Sequence, residues 1–72
     1  MRITGIELHR GSGMWHGTAS EGDKNYMWYY RPRSLLKFTE QERYIPDCWM
    51  NVDPPHGAKP AVLKAIRAAK RS

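Results

Sequence analysis

Met14-Trp15-His16-Gly17-Thr18-Ala19-Ser20-Glu21-Gly22-Asp23-Lys24-Asn25-Tyr26-Met27-Trp28-Tyr29-Tyr30-Arg31 is the stretch whose reading decides the fold. Its second half places four of the chain's eight aromatic residues, Tyr26, Trp28, Tyr29 and Tyr30, within five positions. Aromatic side chains suit a pleated, half-buried surface, so this half is read as a β-strand. Gly22-Asp23 supplies the glycine that a tight hairpin needs and sets Glu21 opposite Lys24 as an opposite-charge pair. Continuing that register pairs Ala19 with Tyr26, Gly17 with Trp28, His16 with Tyr29 and Trp15 with Tyr30. One face then carries Trp15, Gly17, Ala19, Tyr26, Trp28 and Tyr30, where small residues leave room for the rings opposite. The other carries Met14, His16, Thr18, Met27, Tyr29 and Arg31.

Toward the amino terminus, residues 2–10 alternate weakly around Ile3, Ile6 and Leu8, and Gly11-Ser12-Gly13 marks a turn. Because a one-residue slip moves every side chain to the opposite face, the register is chosen by chemical coherence. Only a loop of even length, such as Ser12-Gly13 or Gly11-Ser12, sets Ile6 and Leu8 beside Trp15 and Trp28 and leaves Glu7 and His9 on the second face. Residues 2–31 are therefore expected to form a three-stranded antiparallel meander with an apolar side and a polar-aromatic side.

Toward the carboxy terminus, Pro32 ends the meander, since proline has no amide to donate to a ladder. Leu35, Leu36 and Phe38 fit either a short fourth strand or a buried loop. Thr39-Glu40-Gln41-Glu42 has the form of a capping box and predicts a short middle helix from Glu40 to about Tyr44, stopped by Pro46. Residues 32–53 are read as an irregular segment holding that helix, with Cys48, Trp49, Met50 and Val52 buried, and residues 54–59 as a proline-rich connector. Residues 60–71 predict a helix with Pro60 in its first turn. Val62, Leu63, Ala65, Ile66 and Ala69 fall on one side of it, and Lys64, Arg67 and Arg71 on the other. The apolar side is expected to cover the Trp15/Trp28 face. The fold class expected is α+β: one small domain over residues 1–72, in which a three-stranded meander packs on a C-terminal amphipathic helix.

Composition narrows the functional classes. A 72-residue chain buries only about 60% of its unfolded surface, so its large apolar residues are needed for the core. Cys48 is the only cysteine, which excludes an internal disulfide and a Cys-x-x-Cys metal knuckle and points to a reducing, intracellular setting. No apolar run approaches the ~20 residues of a membrane span, and the amino terminus lacks the apolar core of a signal peptide. A cytoplasmic protein without membrane contact is expected. The net charge is +5. Residues 1–53 balance Arg2, Arg10, Lys24, Arg31, Arg33, Lys37 and Arg43 against Glu7, Glu21, Asp23, Glu40, Glu42, Asp47 and Asp53. The whole excess, Lys59, Lys64, Arg67, Lys70 and Arg71, lies in the tail.

Catalytic chemistry is weakly signalled. His9, His16 and Tyr29 share the polar face, and cross-strand neighbours of this kind can share a metal or relay a proton, but a third ligand is missing and a solvated sheet face explains them as well. Cys48 with His56 is a weaker pair still. Gly11-Ser12-Gly13 leads into a strand rather than a helix, so it is a turn and not a phosphate loop. No catalytic residue, metal or cofactor is assigned.

Binding is better supported. Lysine and arginine neutralise phosphates, and exposed aromatic side chains stack on bases. The residues suited to this are Lys64, Arg67, Lys70 and Arg71 on the helix, the Arg31/Arg33/Lys37 cluster after the third strand, and His16 with Tyr29 on the sheet. A non-enzymatic DNA- or RNA-binding protein is the first expectation. The alternative is a protein-binding inhibitor or regulator of a larger nucleic-acid-handling complex, of the sort phages and mobile elements encode. Met14, Met27, Tyr29, His16 and Arg31 would form its interface, since tyrosine, methionine and arginine are enriched at such surfaces. The bland counterpart is that the helix cations are simply solvated and that residues 34–53 cover the second face.

Overall fold

The aromatic hairpin forms in the register its sequence dictates. In the computed structural model, which describes residues 1–32 and 35–71, β2 (Met14–Glu21) pairs antiparallel with β3 (Lys24–Arg31). Trp15 lies opposite Tyr30, His16 opposite Tyr29, Gly17 opposite Trp28, Ala19 opposite Tyr26 and Glu21 opposite Lys24. Gly22 takes a φ of 62° in the connecting turn, a left-handed conformation that a side chain would strain.

β1 (Arg2–His9) joins β2 with the expected parity, through a four-residue loop of Arg10 to Gly13. Ile6 lies opposite Gly17, Glu7 opposite His16, Leu8 opposite Trp15 and His9 opposite Met14. The weak alternation of this strand has a physical cause. The ladder slips between Ile3 and Gly5, making Thr4 the extra residue of a β-bulge. The bulge absorbs the odd spacing between Ile3 and Ile6, so both reach the core side, and the Thr4 hydroxyl donates to Thr18 Oγ1 at 2.8 Å.

Two further strands replace the predicted middle helix and enlarge the three-stranded meander to five. β4 (Leu35–Gln41) pairs with β3, and β5 (Trp49–Val52) pairs with β4, giving the antiparallel order β1-β2-β3-β4-β5. The capping-box residues are spent on the sheet. The Thr39 hydroxyl donates to the Met27 carbonyl at 3.3 Å, and Gln41 bridges Asn25 Nδ2 at 3.2 Å and the Pro46 carbonyl at 2.9 Å. A helix here would satisfy a few local amides and bury one side of Phe38. The free edge of β3 instead offers a full ladder and places Phe38 against Trp28. The segment read as irregular and buried is thus an edge strand with exposed Cys48 before it.

α1 (Ala58–Lys70) begins two residues earlier than the connector suggests, after Gly57 at a φ of 81°. Ala58, Val62 and Ile66 are buried with Trp15, Ala19, Tyr26, Trp28 and Phe38, and Met1, Ile3, Ile6, Tyr30, Leu36, Val52 and Ala69 pack around them. Every strand residue in this core lies on the same side of the sheet. The helix leaves the β5 edge through the short connector and reaches β1, where Ala65, Ala68 and Ala69 line a groove with Ile3, Gly5 and Ile6. Glycine at position 17 permits the tightest contact, since a Cβ there would collide with the Gly5 carbonyl and meet Trp28 Cζ2 at 3.0 Å. The Trp28 indole donates to the Thr18 carbonyl at 3.1 Å, which satisfies its one polar atom inside the core.

Candidate nucleic-acid interface

Strand alternation projects a second set of side chains onto the side of the sheet away from α1. Residues 35–52 lengthen the sheet rather than folding over this side, so it stays open. Its first cross-strand row is Glu7, His16, Tyr29 and Lys37, each opposite the next. The second is Gly5, Thr18, Met27, Thr39 and Asn51. Gln41 and Trp49, also paired, lie farther along. Arg31 follows Tyr29 on the same face of β3 by the two-residue period of a strand. Tyr29 is 37% and Met27 40% exposed, whereas Trp28 between them is 2% exposed.

The structure therefore assembles His16, Tyr29, Arg31 and Lys37 on one surface. It places Lys64, Arg67, Lys70 and Arg71, all exposed, on α1 across the sheet from them. The two predicted groups form two separate surfaces. Arg33 lies outside the described residues.

Charge is unevenly distributed over these surfaces. Among the described residues His16 Nε2 lies 3.6 Å from Glu7 Oε2, and two ion pairs form, Lys24 Nζ with Glu40 Oε1 at 3.9 Å and Arg43 with Asp23 at 3.9 Å. The last two sit at the end of the sheet holding the β2–β3 turn and the β4–β5 loop, where Glu42 lines the same cleft as Asp23 and Glu40. Arg31 and Lys37 lie toward the opposite end and join none of these pairs, nor do the α1 cations. Arg67 and Lys70 sit in the last helical turn, where positive charge also complements the helix dipole. Tyr26, opposite Glu40 on the covered face, has its phenol pushed above the ordinary value of 10.0, first by burial and then by the nearby Glu40 carboxylate.

The four-residue loop sets His9 opposite Met14 and Glu7 opposite His16, and His9 Nδ1 lies 2.8 Å from Ser12 Oγ. No group of three or more His, Cys, Asp or Glu residues suited to a metal ion occurs among the described residues. No helix among them is long and apolar enough to cross a membrane.

One feature escapes the sequence reading. Tyr44 and Ile45, at the tip of the β4–β5 hairpin, are 85% and 61% exposed. The tip is braced rather than loose: Glu42 N donates to the Cys48 carbonyl at 2.8 Å and Cys48 N to the Ile45 carbonyl at 2.9 Å. Assigning Glu40 to Tyr44 to a helix hid this projection. The available signal was the Leu36/Phe38 alternation, which makes residues 42–48 a hairpin loop. Comparison with family models, with curated proteins and with solved structures found no match.

Proposed function

We propose that this chain is a small, non-enzymatic nucleic-acid-binding protein. Its phosphate contacts come from the outer stripe of α1, Lys64, Arg67 and Arg71 with Lys70 beside it, and from Arg31 and Lys37 on the open sheet face. The observation that carries the reading is that these cations have no carboxylate partner among the described residues, while Glu7, Asp23 and Glu40 are engaged elsewhere. Unpaired lysine and arginine attract phosphates over several ångströms and gain free energy by releasing condensed counterions.

Titration of fluorescent DNA and RNA at a series of salt concentrations tests this. Affinity should fall steeply with salt, and replacing Lys64, Arg67 and Arg71 by alanine should flatten the slope by roughly 0.7–0.9 for each phosphate contact removed. Absence of binding at about 50 mM salt removes the proposal.

The second reading, a protein-binding inhibitor or regulator of a nucleic-acid-handling complex, is favoured by Tyr44 and Ile45. A braced loop that presents two large apolar side chains to water has the form of a preorganised anchor for a partner's pocket. Under that reading, a partner captured from nuclease-treated host lysate is lost when Tyr44 and Ile45 are both changed to serine, with the melting temperature unchanged.

A further inference from the structure

We infer that the open sheet face binds single-stranded nucleic acid, with Tyr29 as the stacking platform and Lys37 and Arg31 as its phosphate contacts. This rests on the nucleic-acid reading above and narrows it from nucleic acid in general to unpaired strands. Three observations carry it. Tyr29 is exposed near the middle of an uncovered sheet, with His16 directly opposite on one side and Lys37 on the other. Cross-strand neighbours lie about 4.8 Å apart, and residues two apart along a strand about 6.7 Å. The ring is thus bracketed by Lys37 across the ladder and Arg31 along it, neither of them in a described ion pair. Two carboxylates border this face, each two strands from Tyr29: Glu7, 3.6 Å from His16 Nε2, and Asp53, just past β5, which lines a cleft with Lys37 but forms no ion pair with it.

Beside the ring the face dips. Gly5 has no side chain, and a depression of about 300 Å³ opens between Glu7, His16, Thr18 and Met27. A base stacked on Tyr29 could therefore be followed by a neighbour that lies against Met27 and His16. The paired bases of a duplex hide the aromatic faces this platform needs. An unpaired strand supplies both complements, base faces for the ring and phosphates for the cations.

The test is fluorescence anisotropy of labelled 12-nucleotide single strands of DNA and of RNA, and of the corresponding duplex, at low salt. Tyr29→Ala is expected to weaken single-strand binding by roughly 5- to 100-fold, as loss of one base–aromatic stack does. Tyr29→Phe should retain it, Lys37→Glu should weaken it, and duplex affinity should not respond to Tyr29→Ala. Melting curves of the three variants should match that of the parent chain. Single-strand affinity indifferent to both Tyr29→Ala and Lys37→Glu overturns the inference. If duplex binding then persists and depends on Lys64, Arg67 and Arg71, the broader nucleic-acid reading survives without the stacking platform. Failure of every probe to bind removes both.

Discussion

The two sides of one sheet make the instructive comparison in this molecule. Trp28 and Tyr29 are neighbours in sequence and similar in kind, yet one is sealed at 2% exposure under α1 and the other stands at 37%. The covered side unites aromatic rings, two glycine- or alanine-sized gaps opposite them, and three buried helix residues into a single cluster. The open side has histidine, threonine, lysine and asparagine around its tyrosine and methionine, which water solvates without a covering element. Alternation separates the residues that hold the fold from those free to bind. A small chain can thereby change its partner surface without touching its core.

The sharpest way to break this comparison is Trp28→Ala. Truncating a fully buried aromatic costs ~3–5 kcal/mol, most of the stability that a domain of this size has, so the variant should be largely unfolded by circular dichroism. Gly17→Ala comes next. Its new methyl group would strike the Gly5 carbonyl, which is backbone and yields only if β1 shifts, so a loss of about 1–3 kcal/mol is expected in urea denaturation.

A smaller effect should appear only in alkali. The raised pKa of Tyr26 means that the unfolded chain ionises first, so its contribution is complete below pH 10 and is lost as pH rises from there toward the folded value. Tyr26→Phe should remove that part of the alkaline destabilisation, read as the difference between the two melting curves against pH. Last and smallest, Tyr29→Ala should change stability by no more than about 0.5 kcal/mol. A loss comparable with that of Trp28→Ala would merge the two faces into one core and end the comparison.

How much of this was legible residue by residue follows from how far each signal travels along the chain. The hairpin of β2 and β3 was readable because Gly22-Asp23 fixes the register locally and the period-two pattern on either side agrees with it. The helix was readable because its apolar and basic residues separate at 100° per residue. β4 was harder, since Thr39 to Glu42 carries a local capping signal that competes with the alternation of Leu36 and Phe38, and only the waiting edge of β3 decides between them. β5 is four residues long and exists by pairing with β4, so mistaking one strand removed both. In the candidate site, His16, Tyr29, Arg31 and Lys37 were identified singly. Their meeting on one surface depended on β4, which brings Lys37 beside Tyr29.

By itself, then, the sequence determined the β2–β3 register, the even parity of the β1–β2 loop, the amphipathic C-terminal helix and the division of the meander into an apolar and a polar side. These follow from turns and periodicities that act over a few residues. Only the tertiary structure decided that the sheet has five strands, that the segment after Pro32 extends it instead of covering it, and that Lys37 stands beside Tyr29 on the open face. Those outcomes depend on which free edge and which apolar face is available when each later segment arrives. That is a property of the assembled sheet, which the local alternation of Leu36 and Phe38 permits but does not decide.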